Sequence, residues 1–326
     1  MWSMNQKQPT PRPAVREVVV DAAYAGQRVD NFLRNELKGV PKSRIYRILR
    51  KGEVRVNRGR TKPDYRLQAG DVIRIPPIRQ ATPAETDEGL GRAHGRRLST
   101  RTLYEDKDIW VLNKPAGMAV HGGSGQSLGV IEAARMMRPD LPYLELVHRL
   151  DRDTSGCLIL AKRRSALKFL HDTLRTGGMD KTYIALVMGR FAPGRRRVDA
   201  PLQKNQLRSG ERMVRVDAAG KASTSVFEAL SSGPAASLVR VTLLTGRTHQ
   251  IRVHAAHLGH PLAGDEKYGD AAFNEMTRGH GLKRLFLHAW RLGVPAREGG
   301  RVEITAPLPG ELTGILEVLG LECAIS

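Results

Sequence analysis

The sequence predicts an α+β protein in two parts: a small unit of two helices and a hairpin, then a larger mixed α/β domain. Three observations carry this. Between Val18 and Pro76, two amphipathic runs are followed by two short strand patterns. Residues 79–101 are rich in Ala, Thr, Gly and mixed charge and poor in large apolar side chains, the composition of a flexible linker. From Thr102 onward, strand patterns and amphipathic helices alternate to the end of the chain. The expected organisation is a disordered basic tail over 1–16, a compact basic module over 17–78, the linker over 79–101 and the main domain over 102–322.

In the module, Val29, Phe32, Leu33 and Leu37 share a helical face, with Asp30 and Asn31 at the positive end of the dipole. Pro41 breaks the chain. Ser43 suits the N-cap of a second helix, Arg44 to Lys51, which Gly52 ends. Ile45, Ile48 and Leu49 form its apolar face, and Arg44, Arg47, Arg50 and Lys51 project largely away from it. Val54 to Asn57 reads as a strand, Arg58-Gly59-Arg60 as a turn and Asp71 to Ile75 as a second strand.

In the main domain, Ile109 to Leu112 is a strand and Asn113 to Gly117 the turn after it. His121-Gly122-Gly123-Ser124-Gly125 lacks the Lys-Ser/Thr ending of a nucleotide loop and reads as a tight turn. Ser127 to Met137 forms a helix, and Ser165 caps another that bears Leu167, Leu170 and Leu174 and stops at Gly177. Lys181 to Val187 alternates as a strand, with Tyr183 facing opposite to Thr182 and Ile184. More strands follow near 213–217, 225–230 and 238–244. Thr248 suits the N-cap of a helix whose face is Ile251, Ala255 and Leu258. The chain closes with a strand, Val302 to Ala306, and a helix bearing Leu312, Ile315, Leu316 and Leu319.

Charge is the strongest compositional signal. Lys and Arg number 53 against 33 Asp and Glu, a net of +20. Such a balance points to a polyanion, most simply nucleic acid, with an anionic membrane as the rival. No basic amphipathic anchor, secretory leader or bilayer-length apolar run is present, so a cytoplasmic protein with no membrane partner is expected. Two cysteines, Cys157 and Cys323, make no disulfide framework, which suits a reducing compartment. Residues 31–60 alone hold ten Lys and Arg against two Glu, so the module's Lys42, Arg44, Arg47, Arg50, Lys51 and Arg55 are the candidates for phosphate contact.

The chemistry is expected at His148-Arg149-Leu150-Asp151-Arg152-Asp153-Thr154-Ser155-Gly156. Two acids, two arginines, a histidine and two hydroxyls precede the apolar run Cys157 to Leu160, so a polar loop is fixed to a buried strand. A second cluster is Thr245-Gly246-Arg247-Thr248-His249-Gln250-Ile251-Arg252-Val253-His254. Arg247 stands just before a helix N-terminus, where a cation opposes the dipole, so an anion is expected nearby. The set His249, His254 and His257 has no supporting Cys and no Glu at the metalloprotease spacing, and no metal is expected there.

The nine-residue loop resembles the signature of the RNA pseudouridine synthases, in the branch acting on ribosomal and transfer RNA. The resemblance runs from about Val18 to Leu321. The module resembles a small RNA-binding domain first named in a small-subunit ribosomal protein, through Arg28 to Leu33, Gly52 to Asn57 and Leu67 to Asp71. The resemblance implies a catalytic domain on a largely antiparallel sheet. It implies isomerisation of specific uridines in 23S large-subunit ribosomal RNA, by one catalytic aspartate and base flipping, without a cofactor. Asp151 matches the family's catalytic aspartate, Arg247 the basic residue that pairs with it, and Tyr183 the tyrosine that stacks on the uracil. Arg149 matches the arginine that helps flip the base. His148, Arg152 and Thr248 are placed with it as substrate-binding residues. Ribosomal RNA is the expected partner, with no obligate protein partner evident.

Spacing supports a single working acid. Asp151 and Asp153 are two apart, which does not set them on opposite sides of one sugar, as ordinary glycoside cleavage requires. The rivals are an assembly factor that only binds RNA, and an RNA glycosidase or nuclease.

Overall fold

The computed structural model describes residues 14–37, 40, 42–78, 95–122, 128–206, 212–323 and 325, the side chains of Lys42, Gln206 and Arg212 excepted. Most of the expected tail and linker, Pro41, Ser127 and the glycine turn from Gly123 on lie outside the described residues. The chain divides into two compact units, Met1–Glu88 and Gly89–Ser326.

The small unit holds β1 (Arg16–Val19), α1 (Val29–Glu36), α2 (Lys42–Arg50), β2 (Arg55–Val56), β3 (Gly59–Arg60) and β4 (Val72–Ile75). The strands form an antiparallel sheet in the order β1-β4-β2-β3. Val29, Phe32 and Leu33 of α1 meet Ile45, Ile48 and Leu49 of α2, with Val54, Ile73 and Ile75 beneath them. Asp30 ties the two helices together. It is buried and accepts from Arg28 Nη2 at 2.9 Å and from the Tyr46 hydroxyl at 2.6 Å. Two expectations need correction. The second helix begins at Lys42, so Ser43 lies exposed inside it and is not its cap. The hairpin turns at Asn57 and Arg58, with φ of 50° and 66°, so Gly59 and Arg60 belong to β3. Positive φ at both central residues is what a tight two-residue hairpin needs.

The large unit contains β5 (Thr102–Glu105), β6 (Ile109–Lys114), α3 (Val130–Met137), β7 (Glu145–Leu146), β8 (Ser155–Ala161) and α4 (Arg164–Thr176). There follow β9 (Asp180–Met188), β10 (Arg195–Asp199), β11 (Leu202–Gln206), β12 (Arg212–Val216), β13 (Thr224–Ser232) and β14 (Ala236–Leu243). The chain continues through α5 (Gln250–His257), α6 (Ala271–Gly279), β15 (Leu287–Pro295), β16 (Arg301–Thr305) and α7 (Gly310–Val318). The main sheet runs β10-β13-β14-β9-β15-β8-β6-β5, with β16 on β15 and β7 on β8. Among the described residues, β15 with β8 is the one parallel pairing of this sheet. The fold is thus α+β on a largely antiparallel sheet, as expected.

Strand alternation sorts the sheet's two faces. Tyr183, Ala185 and Val187 of β9 face a core shared with Leu150 and Ile251, whereas Ile184 and Leu186 pack with Phe273, Leu312 and Leu316. Three boundaries differ from expectation. Asn113 and Lys114 continue β6 and are not a turn. Ser165 lies inside α4, whose N-cap is Arg163. Leu98, placed within the linker, is wholly buried in the main core.

Candidate active site

The Asp151 loop is pinned at both ends. On one side Lys114, at the end of β6, is wholly buried and donates to the carbonyls of Pro115 (2.9 Å), Met118 (2.8 Å) and Arg152 (2.9 Å). Three acceptors match the three donors of an ammonium. Burial pushes Lys114 down to about 7. On the other side Ser155 opens β8. Its hydroxyl lies 2.8 Å from His288 Nδ1 and accepts from Arg284 Nη2 at 2.6 Å. His288 Nε2 faces the Ala306 carbonyl at 3.1 Å. A carbonyl only accepts, so the proton sits on Nε2 and the Ser155 hydroxyl donates to Nδ1. Burial agrees, pushing His288 down to about 4 and keeping it neutral.

Between these anchors the Asp151 side chain is 29% exposed and faces a cleft of 1010 Å³. Arg97, Arg101, Lys267, Lys283 and Arg284 make much of its wall basic. The helix α5 brings Arg252 to the carboxylate. Its Nη1 lies 3.5 Å from Asp151 Oδ2, while its Nε and Nη2 each donate at 2.7 Å to Asp265. Asp265 also accepts from the backbone N–H groups of Lys267 (2.9 Å) and Tyr268 (3.0 Å). Burial opposes both charges of this pair, but the paired bonds outweigh it. The Asp265 carboxyl is held below the usual range and Arg252 above its own. Gly264, just before Asp265, has φ of 71°, and a Cβ there would stand 2.1 Å from the Arg284 carbonyl oxygen.

The expected residues fare differently. Tyr183 is buried on β9, and burial and then the charge of Asp151 push its hydroxyl up. Arg247 does not meet Asp151: its Nε donates to the Ala222 carbonyl at 3.1 Å, and the cation beside Asp151 is Arg252. The N-cap is His249, not Thr248; Arg252 lies in the first turn of α5, where it reaches Asp151, and Arg247 lies before the helix. The dipole argument for a nearby anion holds, but for Arg252, which two carboxylates answer. His148 is also corrected. Its Nε2 accepts the Ile159 N–H at 3.2 Å, which holds the ring against β8 rather than in the cleft wall, and burial pushes it down to about 4. Arg152 and Asp153 line the cleft and pair with each other at 3.2 Å. Arg149 is exposed on the same loop, and Thr248 is half-buried. In the small unit Arg44, Arg47, Arg50 and Lys51 are exposed and Arg55 half-buried, while the side chain of Lys42 lies outside the described residues.

Sequence reasoning missed Lys114, Asp265 and Tyr268. Gly264-Asp265 and Tyr268-Gly269 were a readable signal, since glycines bracket a tight turn around the acid. Nothing in the sequence marks Lys114 as buried. Among the described residues no cluster of three or more His, Cys, Asp or Glu could hold a metal. His254 bonds Ser225 (3.0 Å) and the Ala200 carbonyl (2.9 Å).

Comparison with known proteins fits this architecture. Residues 108–257 match the family model for RNA pseudouridylate synthase, and residues 27–73 match the S4 domain. The ribosomal large subunit pseudouridine synthases C of Salmonella typhimurium and Escherichia coli are each 54% identical over 316 residues, spanning 95% of this chain and 98% of theirs. That of Pasteurella multocida is 51% identical over 319 residues, or 97% and 98%. Among solved structures, human RNA pseudouridylate synthase domain containing 4 aligns with a TM-score of 0.61 at 27% identity, covering 72% of this chain and 98% of its own. No described helix is long and apolar enough to cross a membrane. A likeness this high over nearly the full length, on an S4 module followed by this sheet and loop, means that the chain belongs to the RNA pseudouridine synthase family.

Proposed function

We propose that this enzyme isomerises specific uridines of 23S large-subunit ribosomal RNA, with Asp151 as its single catalytic carboxylate and the target base flipped out of its stack. The names of its relatives support the substrate. The observation that carries the residue assignment is the incomplete pairing of Asp151. It is the cleft carboxylate that shares an arginine held more closely by another acid, which leaves it oriented and still open to a reacting atom.

The reaction breaks the N1–C1′ bond and forms a C5–C1′ bond. C5 loses a proton and N1 gains one, so composition is unchanged and no redox partner enters. Asp151 acts at the sugar or the base, either as nucleophile or as base. Arg252 takes the pairing role first expected of Arg247. Tyr183 supplies the ring against which the uracil stacks, and Arg149, exposed on the Asp151 loop, assists flipping. Arg152, paired with Asp153 in the cleft wall, contacts the substrate backbone. The module over 17–78 anchors the RNA through the basic face of α2. Removing it should weaken binding and flatten its salt dependence, because phosphate contacts release counterions.

Pseudouridine mapping tests this reading. In large-subunit RNA from cells lacking the protein, specific sites should vanish and return only with the wild-type gene, not with Asp151→Asn. Persistence of every site would refute the substrate assignment, and restoration by Asp151→Asn would refute the residue.

A further inference from the structure

Both groups that address Asp151 rest on one residue, Tyr268. The Arg252 guanidinium lies over the Tyr268 ring, 5.0 Å from its centre, within cation–π range. The Tyr268 hydroxyl lies 2.8 Å from His249 Nδ1 and accepts the Val214 N–H at 3.0 Å. The other ring nitrogen, His249 Nε2, stands 3.9 Å from Asp151 Oδ1. Arg252 meets the opposite oxygen, Oδ2.

Valence orders the protons. An ionised carboxylate only accepts, so the Nε2 facing it carries the hydrogen. Nδ1 is then a bare acceptor, and the Tyr268 O–H donates into it. The Val214 N–H fills a lone pair of that oxygen. Two hydrogen bonds run one way, Val214 N–H to Tyr268 and Tyr268 to His249, and the His249 N–H then faces Asp151 at 3.9 Å. Burial lowers His249 toward the neutral imidazole this requires, and burial raises Tyr268, keeping its proton on oxygen. The backbone is built for the arrangement as well. His249 holds φ of 53°, a region costly for a residue with a Cβ, and it does so as the N-cap of α5. Val214 and Val253 pack with Tyr268, so the β11–β12 hairpin clamps the tyrosine from outside.

We propose that Tyr268 is a positioning residue for the isomerisation, fixing one oxygen of Asp151 through His249 and the other through Arg252. At 3.9 Å the neutral His249 N–H faces Asp151 from just beyond hydrogen-bond reach. Contacts of this kind are often long in the free enzyme and tighten on substrate. The two arms differ chemically, one through the hydroxyl and one through the ring face, and so can be cut separately. The inference rests on Asp151 being the catalytic carboxylate.

The test compares single-turnover rate and RNA affinity for the wild type, Tyr268→Phe, His249→Ala, their double variant and Asp151→Asn, on a large-subunit RNA fragment. Tyr268→Phe keeps the ring under Arg252 and cuts the His249 arm, together with the hydroxyl's bond from the Val214 N–H. Its rate should fall about tenfold, with affinity within about twofold, the scale of one lost orienting hydrogen bond. Adding Tyr268→Phe to His249→Ala should cost nothing further, since the hydroxyl acts through the imidazole. A general packing defect would instead multiply the two losses. A wild-type rate in Tyr268→Phe, or multiplied losses in the double variant, overturns the proposal. Should Tyr268→Phe not fold, His249→Gln against His249→Ala decides. Glutamine keeps an N–H donor and should recover most of the rate, and equal rates overturn the proposal. Asp151→Asn separates the two readings. If it turns over normally, the catalytic assignment falls; if it is inactive while Tyr268→Phe is fast, only the positioning role falls.

Discussion

Arg252 reaches two carboxylates, and the fold treats them differently. Asp265 has a side chain 1% exposed, takes both short guanidinium bonds at 2.7 Å and adds two backbone N–H groups. Asp151 has a side chain 29% exposed and meets the 3.5 Å edge of the same arginine and, at 3.9 Å, the ring of His249. A carboxylate held by four donors, as Asp265 is, is fixed in place. One held by an edge keeps direction and lone pairs for a substrate. Asp30 of the small unit follows the Asp265 pattern, filled by Arg28, Tyr46 and the Asn31 N–H at 2.9 Å. The difference separates an acid built into the cleft wall from the one proposed to work in it.

The largest effect should come from emptying the filled acid. Asp265→Ala leaves Arg252 buried without its main partner, which should cost about 3–5 kcal/mol of stability and take activity with it. A thermal unfolding curve like the wild type's would end the claim that Asp265 is structural. Next, Arg252→Met should slow single-turnover isomerisation about a hundredfold by loosening Asp151, whereas Arg247→Met should cost less than about threefold, the gap expected between lost electrostatic preorganisation and a remote surface contact. The reverse ranking would return the pairing role to Arg247.

A smaller effect appears in acid. The Asp265 carboxyl is held below its ordinary range, so the folded state binds fewer protons than the unfolded chain. Its contribution is complete above the unfolded value of about 3.9 and is lost as pH falls through the lower folded value. Urea unfolding of Asp265→Asn at successive pH values should show a flatter acid limb, and an unchanged limb would contradict the assignment. The smallest effect is Thr248→Ala. Thr248 is not the cap of α5, so stability should fall by less than the roughly 1 kcal/mol that a lost cap costs. A full cap penalty would mean that the helix starts where the sequence suggested.

Much of this architecture is legible in the residues because periodicity reports burial. The run Cys157 to Leu160 marks β8, and the alternation around Tyr183 marks β9. The strand β15 escaped because both its faces are buried and it carries His288 and Arg291, so neither alternation nor an apolar run appears. The site was half legible. Asp151 stands in a dense polar loop against a strand, a local pattern. Its partner is a choice among basic residues in one short motif, and only the folded chain shows that Arg252, not Arg247, faces Asp151. Lys114, Asp265 and Tyr268 act through contacts distant in sequence. A buried lysine capping three carbonyls looks in sequence like any exposed lysine, because only tertiary structure brings the acceptors to it.

The most direct test of the central claim sets Asp151→Asn beside Asp153→Asn, as purified proteins on one large-subunit RNA fragment, with pseudouridine yield and thermal unfolding read together. The account predicts that Asp151→Asn loses at least about a thousandfold in rate, as removal of a reacting group does, with its unfolding temperature unmoved, while Asp153→Asn stays within about tenfold of wild type. Substantial turnover by Asp151→Asn, or loss confined to Asp153→Asn, would contradict it.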